Sequence, residues 1–267
     1  MRRLFMRLGM YVLAVAVLMV GSAFITHAAI EDDGLILYFS FDSEKGGTIK
    51  DETGGGNEGT VEGAEVSTDE VVHGTGSMLF DNVNASVTVD SFKALEEYQD
   101  NSYLFWLQFT EENSGAWQQI ISKKAPGTDR VPGIWTCNRV PLHIHYRFDP
   151  GNGGSLCVGP KGEGDAFETD KWYHVAGVKE GGNFKFYMDG EVVDNQNVPK
   201  EHTQGVSKLY IGKTNYGSAL FYIDDLYVYD RALSADEVSG VMDGKLLPVE
   251  PKNKLSTTWG RLKTSRD

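Results

Sequence analysis

The stretch that most constrains this chain is Trp172-Tyr-His-Val-Ala-Gly-Val-Lys-Glu-Gly-Gly-Asn-Phe-Lys-Phe-Tyr-Met-Asp-Gly190. It reads as two β-patterned runs joined by a Glu-Gly-Gly-Asn turn, and it ends in a second turn, Asp189-Gly190. An Asp-Gly pair favours a type I′ hairpin because Gly accepts positive φ without penalty. Side chains alternate along a strand, so Tyr173 and Val175 share one face, and His174 and Ala176 share the other. The spacing places His174 on a strand packed between sheets. There it is expected to be a hydrogen-bonded core histidine rather than a catalytic base, because no Ser or Cys nucleophile pairs with it in sequence. Trp172 is expected to cap the core from the strand's end.

More strand-sized runs recur on both sides of this hairpin, between clusters of Gly, Asn and Asp. They are Leu35 to Phe41, Ser77 to Phe80, Ala85 to Val89, Ser102 to Phe109, Trp117 to Ser122, Pro141 to Phe148, Leu209 to Gly212 and Leu220 to Tyr229. In the fourth, Tyr103, Phe105, Leu107 and Phe109 share a face opposite Leu104 and Trp106. In the sixth, Leu142, Ile144, Tyr146 and Phe148 alternate with His143, His145 and Arg147. Asp42 to Gly63 reads as a turn-rich loop, and Ser91 to Asp100 as a helical turn or a loop. One late helix is expected from Ser234 to about Met242, stopping near Gly244. Ser234 and Glu237 have capping-box spacing, and Leu233 can staple against Val238. With 31 Gly for turns and 13 Phe, 12 Tyr and 5 Trp for a core, the pattern predicts an all-β, antiparallel sandwich or jelly roll with one short C-terminal helix. No repeat with a period of 20–50 residues is evident, which disfavours a propeller or solenoid.

The ends read differently. Arg2, Arg3 and Arg7 precede an apolar run from Met10 to Phe24, and Thr26-His27-Ala28 resembles a small-x-small cleavage site. Residues 1–28 are therefore expected to be a signal peptide, with an uncleaved anchor as the alternative. Residues 29–246 form the predicted jelly-roll domain. Residues 247–267 are expected to be a flexible basic tail, or else a short docking element around Trp259. Loss of the three leader Arg leaves 22 Lys and Arg of the original 25 against 38 Asp and Glu, so the net charge moves from −13 to −16. So acidic a surface repels phosphate backbones and argues against nucleic acid as a partner. A secreted, periplasmic or cell-surface location follows, with no stable membrane span after cleavage.

Cys137 and Cys157, the two cysteines, flank a Gly-rich turn at Asp149-Pro-Gly-Asn-Gly-Gly154. An even number in an exported chain favours a disulfide, and two buried free thiols are the alternative. His143-x-His145 could form a metal pair, but the neighbouring Arg147 disfavours a bound cation. The same polar face, with Trp135 and Arg139 nearby, has stacking and hydrogen-bonding groups suited to a ligand. A solvated face without a ligand is the plainer alternative. Asn84-Ala-Ser86 is a lone glycosylation sequon.

Four segments together resemble the laminin-G-like jelly roll of the concanavalin-A-like lectin/glucanase superfamily. They are Phe41-Asp42 with Asp51-x-Thr-Gly-Gly-Gly-Asn-x-Gly59; Gly76-Ser-Met-Leu-Phe-Asp81; Trp172-Tyr-His-Val-Ala with Phe186-Tyr-Met-Asp-Gly190; and Ile223-Asp-Asp-Leu-Tyr-Val-Tyr-Asp-Arg-Ala-Leu-Ser-Ala-Asp-Glu237. The resemblance spans about 34–243. It implies a possible structural Ca²⁺ tying the early loop to the last strand. Asp42, Asp51, Asn57, Asp224 and Asp225 would be its oxygen ligands, since Ca²⁺ takes six to eight oxygens and tolerates backbone carbonyls. It also implies three functional readings. The first is an exported, non-catalytic recognition domain for carbohydrate or a cell-envelope protein. The second is a glycoside hydrolase, because Glu163-Gly-Asp165-Ala-Phe-Glu168 matches the acid pattern of retaining glucanases on this fold. Gly164 and the flanking turn residues disfavour it. The third is a structural or adhesive envelope protein without a small ligand.

Overall fold

The computed structural model describes residues 32–112, 114–138, 140, 142–149, 151 and 166–245. In chain order the first strands are β1 (Leu35–Phe39), β2 (Thr48–Ile49), β3 (Gly59–Glu62), β4 (Glu65–Ser67), β5 (Ser77–Phe80) and β6 (Ser86–Val89), followed by the short helix α1 (Lys93–Glu97). Next come β7 (Asn101–Phe109), β8 (Gln119–Lys123), β9 (Gly133–Thr136), β10 (Ile144–Arg147), β11 (Tyr173–Glu180) and β12 (Asn183–Met188). The last elements are β13 (Glu191–Asn197), β14 (Leu209–Gly212), β15 (Phe221–Tyr229) and helix α2 (Ala235–Met242).

The strands form two antiparallel sheets. One runs β13-β12-β11-β7-β15-β5-β4, with β1 also pairing β15, and the other runs β10-β9-β8-β14-β6-β3-β2. The chain is thus the all-β two-sheet jelly-roll sandwich expected from its sequence. Aromatic and aliphatic side chains from both inner faces fill the space between the sheets, including Phe39, Phe80, Phe105, Leu107, Ile121, Ile134, Tyr146, Val175, Phe186, Ile211 and Phe221. The alternation expected of β7 holds: Tyr103, Phe105, Leu107 and Phe109 face this core, while Leu104 faces outward.

The outer face of the first sheet carries a second apolar cluster beneath α2. Leu104, Ala176, Val178, Tyr187, Tyr227 and Tyr229 meet Leu233, Val238 and Val241. The Ser234 hydroxyl accepts from the Glu237 amide at 3.3 Å, and the Glu237 carboxylate accepts from the Ser234 amide at 2.7 Å. This capping box fixes where α2 starts, and so which of its faces meets the sheet.

The β11–β12–β13 meander has the expected turns. Glu180 pairs with Asn183 across Gly181-Gly182, and Met188 pairs with Glu191 across Asp189-Gly190. Asp189 and Gly190 both have positive φ, 50° and 82°, as a type I′ turn requires. His174 differs from expectation. It is buried, but on the outer face beside Trp106 rather than between the sheets, and its Nδ1 has no hydrogen-bond partner. Strands β2, β3 and β4 also run through and just beyond a segment that reads as loop from sequence.

Candidate functional site

The outer face of the second sheet holds a pocket of about 100 Å³ lined by Trp117, Arg130, Trp135, His145, Arg147 and Tyr216. Strand register assembles its floor. In the β9–β10 pair, His145 lies opposite Trp135, and Arg147 lies opposite Gly133. Because Ile144, Tyr146 and Ile134 turn into the core, the alternation forces His145, Arg147 and Trp135 outward. Gly133 leaves a gap two residues before Trp135 on the same face, and the indole folds back into it. A Cβ at position 133 would lie 2.1 Å from the Trp135 Cη2.

The walls are aromatic and cationic. The Trp117 and His145 rings are 4.8 Å apart, Trp135 and His145 5.7 Å apart, and Trp135 and Tyr216 meet edge to face at 5.9 Å. The Arg130 guanidinium lies 5.7 Å from the Trp135 ring centre, within cation–π range. Arg130 also pairs with the Asp129 carboxylate at 3.6 Å. Among the described residues, the lining side chains include two guanidinium groups and no carboxylate. Two donors, Trp135 Nε1 and Arg147 Nε, are buried without a hydrogen-bond partner. Burial, reinforced by Arg147 and Arg130, pushes the His145 imidazole down to about 4, so it is neutral at pH 7.

Three of the five residues that the sequence marks as a ligand face, Trp135, His145 and Arg147, therefore come together here. His143 does not line the pocket. It is buried ahead of β10, where its carbonyl accepts from the Cys137 amide at 2.6 Å. Arg139 lies outside the described residues, as do Cys157, Glu163, Asp165, the leader 1–28 and the tail 247–267. Trp117, Arg130 and Tyr216 join the site without being marked by sequence. Trp117 opens an expected strand but lies ahead of β8, and Arg130 and Tyr216 come from loops, where no strand periodicity points to them. The Gly133-Ile-Trp135 triplet does carry a signal, a missing side chain two residues before a large one on the same face.

The residues expected to hold calcium do not line this pocket, and they are hydrogen-bonded to protein groups. Asp51 organises its own loop. Its Oδ1 accepts from the Thr53 amide at 3.0 Å and the Thr53 hydroxyl at 2.6 Å, and its Oδ2 accepts from the Asn57 amide and side chain at 3.1 and 3.2 Å. Asp42 Oδ1 accepts from the Thr75 amide and hydroxyl and from the Gly76 amide. Asp224 and Asp225 sit at a bulge where the edge partner of β15 changes from β5 to β1. Asp225 has φ 50°, accepts from the Tyr38 hydroxyl at 2.8 Å and meets His73 Nδ1 at 2.7 Å. Asp224 Oδ2 accepts from the Val72 and His73 amides, and burial raises its carboxyl to about 7. Its Oδ1 is buried without a partner. Protein donors thus occupy both oxygens of Asp51 and Oδ1 of Asp42, and leave Asp224 Oδ1 without one. Among the described residues, no group of three or more His, Cys, Asp or Glu is placed to share a metal ion.

Glu168, the one described residue of the glucanase-like acid pair, is fully exposed. Hydrogen bonding and attraction from Lys171, with a further bond from the Tyr173 hydroxyl, hold its carboxyl below the usual range.

A family model described as the concanavalin A-like lectin/glucanases superfamily, Laminin_G_3, matches residues 80–239, more than half of the chain. The chain belongs to this family. No curated protein matches it in sequence. Among solved structures, Trypanosoma rangeli sialidase in complex with sialic acid superposes with TM-score 0.59 at 17% identity, over 79% of this chain and 33% of that one. The binding domain of Paraclostridial Mosquitocidal Protein 1 gives 0.60 at 14% identity, over 79% and 52%. The receptor binding domain of botulinum neurotoxin mosaic serotype C/D gives 0.60 at 18% identity, over 79% and 51%. This chain thus spans a third to a half of the structures it resembles, and the likeness is one of fold.

Proposed function

We propose that this protein is an exported, non-catalytic recognition domain that binds carbohydrate at the cell envelope through the Trp117–Trp135–Tyr216 pocket. The observation that carries this reading is the set of aromatic walls around two buried donors, Trp135 Nε1 and Arg147 Nε, that have no protein acceptor. Aromatic faces cover the apolar faces of a sugar ring, and unpaired donors favour a ligand rich in oxygen acceptors, since an unsatisfied buried donor costs about 1–3 kcal/mol. The pocket's size suits a small group and part of one ring, given that a water needs about 10–15 Å³. Two of the similar structures are named as binding domains, which agrees in kind. Export rests on the leader pattern of residues 1–28. A Cys137–Cys157 bridge would then brace the segment after β9.

The hydrolase reading is the weaker one. A retaining glycosidase needs a general acid whose carboxyl is raised, and Glu168 moves the other way in open solvent. A glycan array probed with the wild-type chain and with Trp135→Ala tests the proposal. The expected result is one glycan class bound by wild type and lost in the variant, with both proteins melting cooperatively. Binding unchanged in Trp135→Ala would place the site elsewhere, and no bound glycan would favour an adhesive role without a small ligand.

A further inference from the structure

We infer that the sugar this pocket takes carries a carboxylate, received by Arg147 and Arg130 while the ring lies against the indoles of Trp135 and Trp117; this rests on the reading of the pocket as a carbohydrate site. A neutral sugar would be served by hydroxyls, amides and a carboxylate or two, the mixed donors and acceptors that match its own hydroxyls. Among the described residues the lining is lopsided: two guanidinium groups, an indole N–H, an imidazole and a phenol, with no carboxylate.

The Arg147 Nε is buried without a partner, on the strand opposite Gly133, and the side chain lines the pocket. A guanidinium presents parallel N–H groups that match the two oxygens of a carboxylate, and such charge-assisted pairs are the strong ones. The Asp129 carboxylate touches only the Nε side of Arg130, at 3.6 Å. That leaves the rest of its fork to a ligand. The indole N–H of Trp135, also orphaned, is a third donor beside the same cavity.

The rest of the molecule narrows the class. A formal net charge of −13 repels polyanions at long range. Nucleic acids and densely sulfated chains are therefore poor partners, whereas one carboxylate on a mostly neutral glycan meets only the local cationic pair. His145, neutral beside the arginines, adds a flat wall without more charge.

The experiment is calorimetric titration of the full chain with methyl glycosides of glucuronate, galacturonate and N-acetylneuraminate, each beside its carboxyl-reduced alcohol. At least one acid should bind about tenfold or more tightly than its reduced partner, the lower end of what a hydrogen bond to a charged group contributes. Arg147→Gln, checked for an unchanged melt, should remove that preference, weakening the acid about tenfold more than its reduced partner. Arg130→Gln, on the rim, serves as a second variant should Arg147→Gln not fold. Equal binding of acid and alcohol, lost in Trp135→Ala, overturns the carboxylate inference and leaves the carbohydrate reading standing. Acid binding that survives Trp135→Ala, or no binding of either form together with a blank glycan array, overturns both.

Discussion

At the scale of single residues the pocket depends on an atom that is absent. Gly133 has no Cβ, and the Trp135 indole occupies the volume a Cβ would need. Replacing it by Ala cannot be absorbed by a small rotation, because the contact is with the rigid far edge of a bicyclic ring. Gly133→Ala is therefore expected to turn Trp135 out of the pocket while the inward neighbours Ile134 and Ile144 stay in place. Tryptophan emission should shift to the red and glycan binding should fall at least tenfold, as for losing a stacked ring and its N–H. An unchanged emission spectrum with full binding would show that the indole does not need this gap. The residues legible from sequence were those fixed by alternation. His145 and Arg147 must point opposite Ile144 and Tyr146, so one apolar face revealed the other. Arg130 and Tyr216 reach the same place from loops, whose side-chain directions follow no period.

At the scale of elements, long strands with a two-sided apolar pattern were readable, and short strands at or next to a sheet edge were not. β5 and β14 coincide with their expected spans, and β7 and β15 differ from theirs by one residue at the start. β2, β3 and β4, of two to four residues, are rich in Glu, Thr and Gly and get their order from pairing with β3, β6 and β5, a tertiary cause that local propensity does not carry. The Asp42–Gly59 loop shows a related limit. Its Asp, Asn and Gly composition suits calcium and Asx-turns equally. With Asp51 accepting from Thr53 and Asn57 on both oxygens, the loop is held by protein donors. Removing divalent ions with EDTA is expected to leave the melting temperature where it is. A rise of several degrees on adding Ca²⁺ would mean that the donors swing away to make room for the ion.

For the whole molecule, three buried histidines set the acid side of stability. Burial, helped in each case by neighbouring cationic or imidazole groups, lowers His145 to about 4, His174 to about 3 and His202 to about 4. An unfolded histidine titrates near 6.5. Between pH 5 and 6.5 the unfolded chain therefore binds up to three protons that the folded protein refuses. Asp224 works in the opposite direction: raised from 3.8 to about 7, it is protonated in the folded state and ionised in the unfolded one across the same window. Asp225, also raised by burial, adds at most one more such proton. Three against at most two leaves the unfolded state ahead, so stability rises with pH here, by about 1.4 kcal/mol per pH unit for each net proton. Relief of self-repulsion among the acidic side chains does not reverse the sign, because exposed carboxylates titrate near 4, below the window. Moving from pH 6.5 to pH 5 at constant ionic strength should thus cost about 1–3 kcal/mol and lower the melting temperature by several degrees. Calorimetric melts at the two pH values decide it. An equal or higher melting temperature at pH 5 would mean that the buried imidazoles take up protons in the folded state, and that the outer-face packing of Trp106 on His174 and the Trp117–His145–Trp135 wall opens to admit them.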